Sequence, residues 1–247
     1  MHISDFFKGT TEINVTGPKI IASFEIGGVT INFTESILLS WIIIGAVALL
    51  LHWLTKDLKT KGISKRQVLA EMAVQTIYNL VDDTMGKGNR RFAPYIGALF
   101  TFSILGSLIS LLGLRSVTAD FSVVLTWALI TFIWVHYTKI RTNGLWGYLK
   151  GYASPVFVML PMNVLSEVSL PVSMSIRHFG NIASGMIISG LVYFALTSIT
   201  KSIGVAFMTI GVPAVLSLYF DLFSSFMQAF IFIMLTMVNV SSAAETE

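Results

Sequence analysis

The 247-residue chain has no cysteine and few charged residues, and both shortages exclude classes of function. Without cysteine there is no disulfide, no thiol nucleophile and no cysteine-ligated iron–sulfur cluster. Charged residues make up 12% of the chain and hydrophobic residues 54%, which indicates a membrane protein. The net charge of +3 comes from basic connectors and does not indicate nucleic-acid binding. Soluble stretches reach only about 35 residues, so we expect one membrane domain over 1–247 without a catalytic domain.

Several uncharged runs are long enough to cross a bilayer, which takes about 20 apolar residues. Together they predict an all-α integral membrane protein with five membrane-embedded helices and one amphipathic surface helix. The last two embedded helices are long and are predicted to break near Thr197–Gly204, around Lys201. The predicted segments are a first span at 36–54, a helical hairpin at 92–138 and two long helices at 152–244, with a polar connector at 139–151.

The remaining segments are predicted to lie at or outside the membrane surface. Residues 1–35 are an exposed N-terminal segment with a strand-like patch at Ile20–Phe33. Residues 64–85 open with the helix-capping pattern Ser64-Lys-Arg-Gln67. Apolar residues then recur at helical spacing opposite charged ones, so this helix is expected to lie along the membrane surface.

Basic residues predict the orientation of the chain. The connectors at 56–66, 87–91 and 139–150 hold eleven lysines and arginines, whereas the other side holds four. The positive-inside rule therefore places the N-terminus outside and the C-terminus in the cytoplasm.

Arg177 is the most informative residue, because it is the only lysine or arginine in a stretch of sequence that is otherwise typical of membrane core. Placing an arginine at the bilayer centre costs roughly 2.5–3.5 kcal/mol even on insertion scales, and such charges usually mark an ion or substrate path. The alternative is an arginine near a helix end whose side chain reaches the membrane surface.

Other polar residues accompany Arg177 in the last two segments. Helical spacing places Ser173, Asn181 and Ser184 on its face, and Asp221 and Gln228 share a face of the final segment about 10 Å apart. Interhelical hydrogen bonding is the alternative reading for the serines and amides. A charge pair with Arg177 is the alternative for Asp221 and Glu167, and a packed neutral side chain is the alternative for His178. The candidate ion-pathway residues are Arg177, Asn181, Gln228, Asp221, Glu167, Ser184 and His178.

Two motifs carry a family resemblance that extends over nearly the whole chain. Ser175-Ile-Arg177-His-Phe-Gly-Asn181 and Met227-Gln-Ala-Phe-Ile-Phe232 resemble subunit a of the bacterial F-type ATP synthase membrane sector. The resemblance implies that the last two helices are tilted and curve around a rotating ring of c subunits. It also implies that Arg177 is the essential arginine facing the ring carboxylates, with Asn181 and Gln228 along the ion path.

The same resemblance implies the remaining functional expectations. Partners are the c-subunit ring, the b-subunit peripheral stalk, the other synthase subunits and membrane lipid, and the location is the bacterial plasma membrane. No cofactor, metal or catalytic chemistry is expected in this chain. Asp221 stands where relatives often carry a histidine or an acid, and Glu167 lies where acids line an access channel. This chain departs from the family pattern at Met186, where many relatives have an acid, and at His178, where they usually have an aliphatic residue.

Two other functions would also use charges inside a membrane. One is a secondary ion antiporter or channel acting alone, although an antiporter built from inverted repeats would be expected to repeat the Arg177 motif, and no second copy is found. The other is a non-transporting scaffold in which Arg177 serves only as an ion-pair partner. The choice between proton and sodium is expected to lie mainly in the ring.

Overall fold

The computed structural model describes residues 18–26, 28–56, 58–60, 63–112, 114–153, 156–203 and 218–244. Within these ranges a two-stranded sheet is followed by helices, which confirms the predicted all-α fold class. The α-helices, numbered here in chain order, are α1 (Glu35–Thr55), α2 (Lys65–Met85), α3 (Ala93–Leu108), α4 (Phe121–Tyr152), α5 (Leu160–Ile203) and α6 (Ser225–Ala244). Short 3₁₀-helices lie at Lys87–Phe92, Ile109–Leu112, Val117–Ala119 and Phe157–Met159, and a π-helix at Leu218–Ser224 precedes α6.

The N-terminal sheet is an antiparallel hairpin of β1 (Ile20–Ile26) and β2 (Val29–Thr34). Gly28 lies in the turn with φ of +82°, a conformation that glycine adopts at low cost. The backbone N–H of Glu35 donates to the carbonyl of Lys19 at 2.9 Å, which ties the first helix to the hairpin. The predicted strand-like patch at Ile20–Phe33 is therefore confirmed.

Five helical segments of the described chain are long and apolar enough to cross a membrane, as predicted. With 21 residues, α1 is about 31 Å long, which matches a hydrocarbon core of about 30 Å. Most of its side chains are exposed, and only a narrow stripe with Leu39 and Ile43 packs against Val117. The five segments are Glu35–Thr55, Lys87–Leu112, Phe121–Tyr152, Phe157–Leu196 and Leu222–Ala244.

The amphipathic helix α2 is absent from that set, because its charged residues make it too polar to cross a membrane. Its N-terminus is capped as predicted, with Ser64 Oγ accepting from the backbone N–H of Gln67 at 3.3 Å. The Gln67 side chain does not complete the capping box, because it bonds the backbone of Lys59 instead. At the other end, a hydrogen bond from the Arg90 guanidinium holds the pKa of Asp82 below its usual range.

Most of the predicted polar connector at 139–151 is helical, because helical backbone extends to Tyr152 on either side of a break at Gly144. Polar side chains do not end a helix by themselves, since their backbone still forms the helical hydrogen bonds. Gly144 has a non-helical backbone, with φ of +69° and ψ of 168°, so α4 consists of two helical parts that meet at a kink there.

Helix α5 is much longer than a bilayer is thick. Its apolar segment, Phe157–Leu196, is 40 residues long, or about 60 Å at 1.5 Å per residue. A segment of that length stays within a 30 Å core only if it tilts by roughly 60° from the membrane normal. The helix continues through Pro171, and its backbone remains helical to Ile203, so the predicted break does not occur at Thr197–Ile203. Residues 204–217 lie outside the described ranges.

Helix α6 forms the centre of the bundle. Phe232, Ile233 and Met237 are fully buried there, and they belong to one apolar cluster with residues from α2, α3, α4 and α5. Lipid tails are as apolar as these side chains, so within a bilayer their burial stabilises the bundle through close van der Waals packing. This core fixes α6 against α4 and α5, which carry the polar residues described next.

Candidate functional site

Arg177 lies close to the middle of the apolar segment of α5, about 30 Å along the axis from either end. Its side chain is exposed, as is that of Ile176, whereas Met174 and Ser175 are buried against the bundle. Among the side chains that the structure describes, none forms an ion pair with Arg177. A guanidinium at this depth is therefore directed away from the chain's own core. This position, midway along the segment, argues against the reading of an arginine near a helix end.

One helical turn beyond Arg177, α5 and α6 are joined by side-chain hydrogen bonds. Asn181 Nδ2 donates to Gln228 Oε1 at 3.2 Å, and Ser224 Oγ donates to Asn181 Oδ1 at 3.2 Å. Gln228 is only 3% exposed, so this polar contact lies inside the protein. The structure thus brings Asn181 and Gln228 together across two helices, and adds Ser224, which had not been proposed as a site residue.

Ser184 is exposed on α5 and is occupied locally, because its hydroxyl donates to the backbone carbonyl of Asn181 at 3.0 Å. Met186 is also exposed, at 43%. Asp221 belongs to the π-helix Leu218–Ser224, and its side chain lies outside the part of the chain that the structure describes. The structure therefore leaves its predicted role in the ion path as a prediction.

His178 points away from Arg177, into the core. It is fully buried, and its ring stands edge-on to Trp127 and Phe232, with centroid distances of 5.9 and 5.4 Å. Neither ring nitrogen has a hydrogen-bond partner among the described residues. This environment fits the packed side chain that was the alternative reading of the sequence.

Glu167 lies on α5 ten residues before Arg177, and its partners come from α4. Lys139 Nζ donates to Glu167 Oε1, and His136 Nε2 lies 3.6 Å from Glu167 Oε2. The expected alternative, an ion pair with Arg177, is therefore not how Glu167 is neutralised. Tyr152 extends the cluster, because its hydroxyl lies 3.4 Å from His136 Nε2.

Glu167, Lys139 and Tyr152 line a cavity of about 620 Å³ between α4, α5 and α6, called here the Glu167 cavity. The α4 wall of this cavity is not predicted by the sequence pattern, which favours a polar connector at 139–151. The spacing of His136, Lys139 and Asn143 by three and four residues was the available signal of a shared helix face. The polar lining residues are Lys139, Asn143, Tyr148, Tyr152, Asn163, Ser166, Glu167, Asn239 and Ser242.

The described residues include no group of three or more His, Asp or Glu side chains placed to hold a metal ion. Two polar regions lie along α5 on either side of Arg177. One is the Glu167 cavity, and the other is the contact between Asn181 and Gln228. The fold and this arrangement define a class: a multi-pass helical membrane protein with an exposed arginine midway along an apolar helical segment much longer than a bilayer is thick.

Sequence comparison identifies the family within that class. A family model described as ATP synthase A chain matches residues 37–241, and the chain belongs to this family. Subunit a 2 of the ATP synthase of Bradyrhizobium sp. (strain BTAi1) is 34% identical over 89% of this chain and 92% of the relative.

Two further relatives show how widely the similarity extends. The sodium-ion-specific ATP synthase subunit a of Propionigenium modestum is 32% identical over 85% of this chain and 74% of the relative. ATP synthase subunit a of Streptococcus agalactiae is 31% identical over 83% of this chain and 89% of the relative.

Proposed function

We propose that this chain is the ion-translocating stator subunit of a rotary F-type ATP synthase, with Arg177 facing the carboxylates of a c-subunit ring. The observation that carries the proposal is the exposed Arg177 at the middle of α5, without an ion-pair partner among the described residues. An arginine midway along an apolar segment, with no ion-pair partner among the described side chains, is costly, so an acidic partner on another subunit accounts for its retention. Membership of the ATP synthase A chain family supports the same partner.

The two polar regions along α5 are candidates for two offset half-channels. Glu167 lies about 15 Å before Arg177 along the helix axis, and Asn181 lies about 6 Å beyond it. The Glu167 cavity is lined by the last part of α4 and the end of α6, which the basic residues assign to the cytoplasmic side. The contact between Asn181 and Gln228, with Asp221 and Ser184 nearby in sequence, is proposed to belong to the opposite half-channel.

Separation of these regions gives Arg177 its mechanical role. A continuous pore would dissipate the ion gradient, whereas two offset half-channels force each ion to travel on a ring carboxylate for most of a turn. Arg177 attracts the emptied, ionised carboxylate and blocks direct leakage with its fixed positive charge. An arginine side chain remains charged because its pKa is above about 12. Each elementary charge moved through 100 mV supplies about 2.3 kcal/mol, so several are needed for each ATP.

The proposed arrangement also assigns the neighbouring partners. The exposed face of α5 that carries Arg177 lies against the ring, while lipid covers the exposed side chains of α1, and the b-subunit stalk joins the chain to the rest of the synthase. The N-terminus faces outward, and the C-terminus faces the cytoplasm. The coupling ion is a proton or sodium.

Substitution of Arg177 by alanine tests this function. Arg177→Ala is expected to abolish gradient-driven ATP synthesis in reconstituted vesicles while leaving the complex assembled, because the emptied carboxylate no longer has a cationic partner. Arg141→Ala removes an exposed arginine outside the proposed path and serves as the matched control. Normal ATP synthesis by the Arg177→Ala complex would overturn the proposal. So would ion exchange by the purified chain alone, which an antiporter would perform.

A further inference from the structure

The Glu167 cavity contains a pair of opposite charges for which the proposed function has no role so far. Lys139 on α4 and Glu167 on α5 both line the cavity, and Lys139 Nζ donates a hydrogen bond to Glu167 Oε1. Both side chains are partly exposed, at 31% and 21%, so they face the cavity instead of being sealed in the core.

Among the described residues that line the cavity, the pair supplies all of the lysine, arginine and acidic side chains. The other groups near it on α4 are His136, Tyr148 and Tyr152. On α6 the polar lining residues are Asn239 and Ser242, which carry no charge. One ammonium and one carboxylate therefore cancel at the cavity wall.

We propose that Lys139 is a positioning residue that keeps the Glu167 cavity electrically neutral, so that the coupling cation crosses it without being retained or repelled. The inference rests on the proposed function, because it takes this cavity as the cytoplasmic half-channel. It assigns a role to Lys139 that is separate from that of Arg177: Lys139 contacts Glu167, and the effect on the ion is exerted through that carboxylate.

Removing either side chain of the pair leaves the charge of the other uncompensated in the cavity wall. Without Lys139, the carboxylate of Glu167 stands alone in the wall and attracts cations strongly in a region of low dielectric. Without Glu167, the ammonium of Lys139 stands alone and repels the same cations. Loss of both leaves a neutral wall again. A charge-balance role therefore predicts that the second substitution compensates for the first.

The experiment compares Lys139→Met, Glu167→Gln and the double variant in complete complexes reconstituted in vesicles at pH 8. ATP-driven ion transport and gradient-driven ATP synthesis are divided by the amount of assembled complex. Each single variant is expected to slow both rates by about three- to tenfold at low salt, whereas the double variant stays within about twofold of the native complex. Lys139→Arg keeps the positive charge, so this variant is expected to retain most of the native rate.

Salt dependence separates charge from shape. Raising potassium chloride from about 0.02 M to about 0.3 M shortens the Debye length from above 10 Å to below 8 Å, so the defects of both single variants are expected to shrink. A purely structural loss would not respond in this way. Arg141→Gln is the matched control, because it removes a positive charge from α4 without lining the cavity, and it is expected to leave the rates unchanged at both salt concentrations. Lys139→Gln is a second neutralising variant should Lys139→Met reduce assembly.

The inference is overturned if the double variant is as slow as Lys139→Met, or if the single variants match the native complex at low salt. Neither result touches the proposed function, which depends on Arg177. Conversely, coupled synthesis by the Arg177→Ala complex would overturn the proposed function whatever the Lys139 variants do.

Discussion

Lys139 and Arg177 are both cations on membrane-embedded helices, yet the protein treats them in opposite ways. The ammonium of Lys139 is hydrogen-bonded to Glu167 within the chain. Arg177 lies about 15 Å further along α5 from Glu167, exposed and without an ion-pair partner among the described residues. A charge that is satisfied inside a subunit can shape that subunit's electrostatics, whereas a charge midway along the apolar segment without a partner among the described side chains fits the proposed partner on another subunit.

The largest effect is expected from changing the chemistry of the unsatisfied charge while keeping its sign. Arg177→Lys is expected to abolish coupled ATP synthesis, because a compact ammonium has neither the reach of a guanidinium nor its fixed protonation. At the satisfied position the reverse exchange, Lys139→Arg, is expected to be tolerated. ATP synthesis in reconstituted vesicles measures both. Equal tolerance at the two positions would remove the distinction between them.

The comparison also places the Lys139 end of α4 on the cytoplasmic side of the membrane. Thr60→Cys and Thr142→Cys, each introduced as the single cysteine of this cysteine-free chain, are expected to react with a maleimide only from the cytoplasmic side. The reason is the excess of basic residues in their two regions. An impermeant maleimide applied to intact cells is expected to label neither position, and labelling there would reverse the topology.

A smaller effect is expected at Asp221, which is proposed to assist ion entry or exit in the half-channel beyond Asn181. Asp221→Asn is expected to slow ion transport several-fold without loss of assembly, because a carboxylate in an apolar helix is retained at a cost unless it is hydrated, paired or accepts protons. Adding Met186→Glu, at an exposed position of α5, to the Asp221→Asn variant is expected to restore part of the lost transport rate.

Yield of assembled complex, measured beside ion flux, separates this role from a structural one. Lost yield with unchanged flux per complex would show that Asp221 supports assembly instead of transport. A further loss on adding Met186→Glu would lead to the same conclusion.

The sequence predicted the helices well where local rules decide the outcome. The first span was expected at Ser36–Leu54 and is found at Glu35–Thr55, and the cap at Ser64 is formed. Apolar run length and capping chemistry are local, so they can be read without knowledge of the fold. The same rules were only partly right at 139–151, because polar residues do not show where the backbone stops being helical, and it does so there only at Gly144.

The site was only partly predictable for a related reason. Spacing along one helix placed Asn181 on the face of Arg177, but the hydrogen bond between Asn181 and Gln228 joins residues 47 positions apart. The contact between Lys139 and Glu167 likewise depends on how α4 packs against α5. Such contacts are set by tertiary packing, which periodicity within one helix does not determine. Periodicity also could not show that His178 fills an aromatic pocket.

The most direct test asks whether the face of α5 that carries Arg177 lies against the ring. Ser173 is exposed one turn before Arg177, whereas Ser175, two residues later, is fully buried. Each is replaced by cysteine in turn and paired with a cysteine placed one helical turn from the ring carboxylate, and disulfide formation is measured after mild oxidation of the assembled complex. We predict a cross-link from Ser173→Cys and none from Ser175→Cys. Cross-linking from Ser175→Cys alone, or from neither position in a complex that synthesises ATP, would contradict the account.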